Sequence, residues 1–159
     1  KKVFDKGFKD ITYLIVGKGE HLDFCKKLII DHPVNKKFIF TGWVNHDEMP
    51  VVVSSIDLSV VPMPNVRAAQ PIISFKLLEG LASGVKIIAN KIPAILELLE
   101  DKDIVFFTNA EDDELFSEDI IKIFNNNKLD KKDKSINFIK DFDWKIIAEK
   151  DLKLFETTL

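Results

Sequence analysis

Phe75-Lys76-Leu77-Leu78-Glu79-Gly80-Leu81-Ala82-Ser83-Gly84-Val85-Lys86-Ile87-Ile88-Ala89 carries two periodicities back to back. Together with Ile73, the residues Leu77, Leu78, Leu81 and Ala82 fall on one side of a helical repeat, the stripe of a helix laid on a core. Gly84 stands where a helix end favours positive φ, which glycine adopts without a Cβ clash. The run 85–89 then shows no strict polar alternation. Apolar runs of that length suit strands covered on both faces, as in a parallel sheet.

Working outward, four more short runs rich in β-branched or aromatic residues appear at 12–16, 37–41, 58–61 and 104–107. Leu22, Cys25, Leu28 and Ile29 follow the first at helical spacing, with Cys25 on the apolar side and so read as core. Met49, Val52, Val53 and Ile56 follow the second, with Pro50 in the first turn, where its missing N–H costs nothing. Alternation of strand and helix predicts an α/β fold, a Rossmann-like parallel sheet with helices on both faces. Toward the end, Leu115, Ile120, Ile121 and Phe124 mark a helix, and residues 125–127 a break. The stretch 128–134 reads as a solvated turn or helix start. Trp144, Ala148, Leu152 and Phe155 mark a last amphipathic helix within 142–159. No repeat or linker divides the chain, so 1–159 is expected to form a single domain.

The 159 residues suffice for one domain with a core and are few for two. At 46% apolar and 31% charged residues, the composition is that of a folded protein. Lysine and arginine number 23 against 26 acidic residues, a net charge of −3 without a basic stripe, which argues against nucleic acid as a partner. The single cysteine cannot form an internal disulfide, which points to a reducing, cytoplasmic setting. No apolar run approaches the ~20 residues of a membrane helix. The opening Lys1-Lys2-Val3-Phe4-Asp5-Lys6 has no secretory h-region and no initiator methionine, and is read as preceded by further chain.

Two segments carry candidate chemistry. Gly17-Lys18-Gly19 follows the run 12–16, and a glycine turn there lets phosphate approach backbone N–H groups. It equally suits a tight strand-to-helix turn. The third glycine of the dinucleotide fingerprint is replaced by Leu22, which counts against a nicotinamide cofactor. The segment from Gln70 to Gly80 follows a strand ending Val60-Val61-Pro62, and ligands of open α/β sheets bind beyond the carboxyl ends of strands. The helix start near Ile73, Ser74 and Phe75 offers N–H groups suited to a diphosphate. Lys76 and Glu79 share a face three residues apart: the ammonium suits phosphate and the carboxylate suits a ribose diol. The same spacing also fits a surface ion pair.

Gly42, Trp43 and Val44 end the second strand, where backbone and indole could meet a nucleobase, or Trp43 could lie packed under a loop. His46-Asp47-Glu48 is too contiguous for a metal site and lies after Asn45 as a helix start. His21 and His32 have no partner at a useful spacing. No catalytic nucleophile is visible, and the catalytic residue is unassigned.

Four blocks in order resemble the C-terminal domain of GT-B glycosyltransferases of the group 1 (family 4) class. They are Leu14–Glu20 with its Gly17-Lys18-Gly19, Phe40-Thr41-Gly42-Trp43-Val44, Ile56-Asp57-Leu58-Ser59-Val60-Val61-Pro62, and the stretch from Lys76 to Ala89. The turn at Phe142–Trp144 and the helix after it resemble that family's ending. The resemblance implies a half that binds a nucleotide-diphosphate sugar. Glu79 would match the ribose-binding glutamate and the backbone of Ile73, Ser74, Phe75, Lys76 and Leu77 the diphosphate-holding turn. Gly42, Trp43 and Val44 would match the loop beside the base, and Gly17 and Gly19 would line the cleft. It implies sugar transfer with retention, no bound metal, an N-terminal acceptor domain as partner, and work at the inner face of the cell membrane in polysaccharide biosynthesis. No amphipathic basic helix in the sequence adds to that membrane expectation.

The sequence departs from the family twice. The glutamate often found eight residues before the ribose-binding one is Pro71 here. The strand that would lie between runs 12–16 and 58–61 is missing, so either further chain supplies it or those two strands pair directly. A non-catalytic module of the same fold is the competing expectation, and an isolated chain of this length is expected to transfer little or no sugar.

Overall fold

A computed structural model describes residues 1–99, 102–126 and 132–158. Five strands form: β1 (Tyr13–Val16), β2 (Phe38–Gly42), β3 (Leu58–Val61), β4 (Lys86–Asn90) and β5 (Phe106–Thr108). The helices are α1 (Lys2–Asp5), α2 (Leu22–Lys27), α3 (Met49–Ser54), α4 (Phe75–Ser83), α5 (Pro93–Leu99), α6 (Asp113–Asn125), α7 (Lys132–Ile139) and α8 (Trp144–Thr158), with short 3-10 turns at Pro33–Lys37, His46–Glu48 and Lys140–Phe142. The α/β class with parallel pairing is as the apolar runs predict. The described strands form two sheets, β1-β2 and β3-β4-β5, and not one. β1 pairs with β2 and β3 with β4, so the direct pairing of β1 with β3 does not occur.

The chain divides into two compact units. One comprises Lys1–Val52 with Asn109–Leu129. In it β1 and β2 pair in parallel from Tyr13↔Phe38 to Ile15↔Phe40, then shift so that Val16 meets Gly42. Tyr13 stacks on Phe38 at 4.6 Å. Its hydroxyl is buried without a partner among the described residues, and burial pushes its pKa up. A charge clamp ties α1 to α6: Lys2 reaches Glu114 at 2.6 Å, and Lys6 reaches Glu114 at 2.7 Å and Glu118 at 3.1 Å. The two lysines hold the Glu114 carboxyl down at about 2 from an ordinary 4.5. Asp112 begins α6 by accepting from the N–H groups of Glu114 (3.0 Å) and Leu115 (3.1 Å).

Cys25 is exposed, contrary to the core position its spacing predicts. α2 is six residues long and buries none of them. The apolar anchor comes just after it, at Ile29, while Phe24 and Leu28 stay open to solvent.

The second unit, Val53–Thr108 with Asp130–Leu159, holds the main hydrophobic cluster. α4 lays Leu77 and Leu81, both fully buried, against Val61, Ile87 and Ala89 of the sheet. Burying each such side chain contributes about 1.5–3 kcal/mol. Gly80 lies on the same side, and a Cβ there would stand 2.9 Å from Ile87 Cδ1 and 3.7 Å from Ser59 Cβ. Helix and sheet reach this separation because that atom is missing. Gly84 closes the helix at φ 68°, as its position predicts, and the Gly84 and Val85 N–H groups return to Leu81 and Gly80 carbonyls.

Sequence and structure part at three other places in this unit. Ile73 precedes α4 instead of joining it, and Ala82 faces solvent. The run at 104–107 is displaced: Ile104 and Val105 are buried, while the β5 ladder begins at Phe106. The predicted last helix forms as α8, yet Trp144, Leu152 and Phe155 remain exposed by 75%, 62% and 70%. The predicted break keeps Asn125 as the last residue of α6 with Asn126 beyond it. Residue 127 and positions 128–131 lie outside the described residues.

Candidate functional site

In the first unit, two of the predicted segments meet. Parallel pairing puts the carboxyl ends of β1 and β2 side by side, and the Gly17 N–H donates to the Gly42 carbonyl at 2.8 Å. Both glycines have positive φ, 120° at Gly17 and 70° at Gly42, so a side chain at either would be strained. Gly19 has ordinary φ; its carbonyl accepts from the Leu22 N–H at 3.1 Å and begins the turn into α2. Trp43 is 69% exposed, which excludes packing under a loop. The Lys18 ammonium lies over its ring at 5.4 Å, a cation–π contact the sequence reading missed. Val44 is half-buried beside it.

In the second unit, the predicted residues gather at the start of α4. Ser74 is the N-cap, at φ −71° and ψ 134°, and its side chain makes no capping bond. Its carbonyl accepts from Leu77 N–H at 3.0 Å and Leu78 N–H at 3.4 Å. The amides of Ser74, Phe75 and Lys76 therefore precede the helical bonding pattern, and none has a partner among the described residues. Leu77 differs from the rest: its amide is used within the turn and its side chain is core. Phe75 is 70% exposed. Lys76 is exposed and Glu79 half-buried, and no ion pair joins them to each other or to another described residue. The surface ion-pair reading of this spacing is thus not realised. Two unpaired opposite charges share a helix side below three open amides.

The loop between β3 and α4 is braced at several points. The buried Asn90 side chain, at the carboxyl end of β4, donates to the Met63 carbonyl at 2.8 Å. Ala69 and Gln70 N–H groups return to Val66 O at 2.8 and 3.1 Å, and the Ala94 N–H donates to Gln70 O at 3.1 Å. These bonds set a fixed path into Ser74. Neither Asn90 nor the loop's Arg67 was visible to sequence reasoning, since no spacing rule links a strand end to a loop carbonyl.

No group of three or more His, Cys, Asp or Glu among the described residues is placed to hold a metal ion. His46, Asp47 and Glu48 form a 3-10 turn after Asn45, as the helix-start reading predicts, though without a side-chain cap. No described helix is long and apolar enough to cross a membrane.

An open helix start beyond a parallel strand, carrying a lysine and a glutamate one turn in, has the chemistry to accept phosphate charge and hydroxyl donors. The sequence profile of the family described as "Glycosyl transferases group 1" matches residues 1–138, and the chain belongs to that family. A 54-residue stretch is 30% identical to a 2-deoxystreptamine glucosyltransferase of Streptomyces kanamyceticus, covering 34% of this chain and 14% of that protein. The fold is similar to that of sucrose-phosphate synthase from Thermosynechococcus elongatus, with TM-score 0.75 and 16% identity over 99% of this chain and 41% of that one. It is also similar to the pneumococcal O-GlcNAc transferase GtfA, solved with UDP and GlcNAc, with TM-score 0.75 and 18% identity over 96% of this chain and 30% of that one. The chain thus spans well under half the length of each of these proteins.

Proposed function

We propose that this chain is the donor-binding part of a glycosyltransferase that moves a sugar from a nucleotide-diphosphate sugar to an acceptor. The observation that carries the reading is the start of α4. Amides of Ser74, Phe75 and Lys76 stand without partners among the described residues, as do the side chains of Lys76 and Glu79 within the following turn. The amides and the Lys76 ammonium offset diphosphate charge, and the two oxygens of Glu79 accept from a ribose diol. UDP in the similar GtfA structure supports a nucleotide ligand for this fold. The Gly42–Val44 loop, with its exposed indole, is assigned to the base, and Gly17 and Gly19 to the cleft. Transfer is assigned to the retaining class through family membership.

The outer edge of β1 and that of β3 have no strand partner among the described residues. The partial coverage of the similar proteins, 41% and 30% of their lengths, supports a larger protein in which further chain supplies a strand and an acceptor-binding domain. Such an enzyme works in the cytoplasm, at the inner membrane face when its acceptor is a surface glycolipid or polysaccharide. A non-catalytic module draws support from the exposed Trp144, Leu152 and Phe155 of α8, which suit a protein partner.

Titration calorimetry with UDP, GDP and ADP separates the readings. Binding of one nucleotide, lost in Glu79→Ala, supports the donor site. No binding of any nucleotide refutes it and favours the module.

A further inference from the structure

Beside the start of α4 the second unit has an open groove of about 750 Å³, within the roughly 300–1,000 Å³ of small-molecule sites. Arg67, Gln70 and Glu97 are its polar lining, over an apolar floor that includes Pro71, Ile73 and Leu98. Arg67 is the single arginine of a chain otherwise rich in lysine. It is exposed and has no ion pair or hydrogen bond to its side chain among the described residues, and Glu97 in the same groove is not paired with it. Its loop is nevertheless braced by the Ala69 and Gln70 bonds to Val66, the Ala94 bond to Gln70, and the Gln70–Asn65 side-chain bond at 3.3 Å. The braced loop thus presents an exposed guanidinium, unpaired among the described residues, at the groove, free to meet an anion.

We propose that Arg67 makes this groove a subsite for a sugar bearing a carboxylate, so that the donor is a nucleotide-diphosphate hexuronate. The inference rests on the diphosphate lying at the start of α4. Ile73 lines the groove and directly precedes the N-cap Ser74, so a sugar leaving the diphosphate on that side enters it. The diphosphate already has the Lys76 ammonium and three amides, which leaves the guanidinium for a second anion. The planar fork of arginine matches a carboxylate through two parallel hydrogen bonds. Gln70 and Glu97 supply partners for the remaining hydroxyls, and Pro71, Ile73 and Leu98 cover the apolar ring face. The unpaired Glu97 disfavours a bare anion and favours one that brings hydroxyl donors with it.

The test uses the full chain labelled with nitrogen-15. A single arginine gives a single Nε–H signal, assigned without further work. Glucuronate 1-phosphate and glucose 1-phosphate share the phosphate and differ at the carboxylate. The expected result is about tenfold tighter binding of the glucuronate, as a charge-assisted bidentate contact provides, with movement of the Arg67 signal. Arg67→Gln levels the two ligands and Arg67→Lys keeps part of the preference. Equal affinities, an unmoved signal, or a preference that survives Arg67→Gln overturns the proposal and leaves phosphate recognition alone. An Arg67-dependent preference in a chain that binds no nucleotide sinks the diphosphate reading and keeps the anion subsite. Nucleotide binding without the preference does the reverse.

Discussion

Gly80→Val tests whether α4 is held against the sheet by a missing side chain. The first added atom would lie 2.9 Å from Ile87 Cδ1 and 3.2 Å from Ile87 Cγ1. Optimal carbon separation is about 3.5–4.0 Å, so the contact is short by the better part of an ångström before the two methyl groups are placed. Ile87 is wholly buried in β4 and has no solvent to move into. Overpacking of this kind costs about 1–3 kcal/mol. The helix gains some tenths of a kcal/mol when glycine becomes valine and about 1 kcal/mol when it becomes alanine. The expected net loss is therefore about 0.5–2.5 kcal/mol for Gly80→Val and clearly less for Gly80→Ala. Urea unfolding followed by far-UV circular dichroism reads both. The atom responsible is named by a cycle with Ile87→Val, which removes Cδ1 and alone costs about 0.5–1.5 kcal/mol. The Gly80→Ala, Ile87→Val pair is expected to lose at least about 0.5 kcal/mol less than the sum of its members. A Gly80→Val chain as stable as the parent, or strict additivity in the cycle, refutes the close-approach argument.

Lys76→Ala is expected to weaken nucleoside diphosphate binding about tenfold or more while leaving the bare nucleoside unchanged, measured by calorimetry at two salt concentrations, since the ammonium acts on phosphate alone. The Glu114 clamp gives a pH signature. Its carboxyl is held at about 2 in the folded chain, so the stabilisation is complete above the ordinary 4.5 and drains away as pH falls toward 2. Glu114→Gln should flatten acid unfolding in that window, and an unchanged acid limb would contradict the clamp. Asp112→Ala removes the cap of α6 and should cost about 0.5–2 kcal/mol in the same denaturation experiment, with Asp112→Asn retaining most of it.

Where burial and backbone pairing coincide, the chain was readable in advance. The run at 58–61 is β3 to the residue, and the Leu77–Leu81 stripe with Gly84 marks α4 and its end. Where they separate, it was not. Ile104 and Val105 are buried like the core strand residues yet stand outside the ladder, because hydrophobicity reports exclusion of water and not hydrogen-bond register. α5 escaped notice because Pro-Ala-Ile-Leu-Glu-Leu-Leu is nearly all apolar and shows no stripe, although Ile95 and Leu99 are its buried pair. Cys25 misled because a six-residue helix is too short to aim its faces by periodicity alone. At the site, Lys76 and Glu79 were readable from spacing on one helix. Arg67 was not, since its meaning comes from a loop lying beside α5, and that neighbourhood is tertiary.

The chain's two tryptophans, Trp43 and Trp144, are 69% and 75% open to solvent while folded. Their indole emission is already that of a wet fluorophore, so its wavelength will scarcely change when the chain unravels. The same property makes Trp43 a quiet baseline for ligands: with Trp144 replaced by phenylalanine, any quenching or blue shift on titration belongs to one ring beside Lys18.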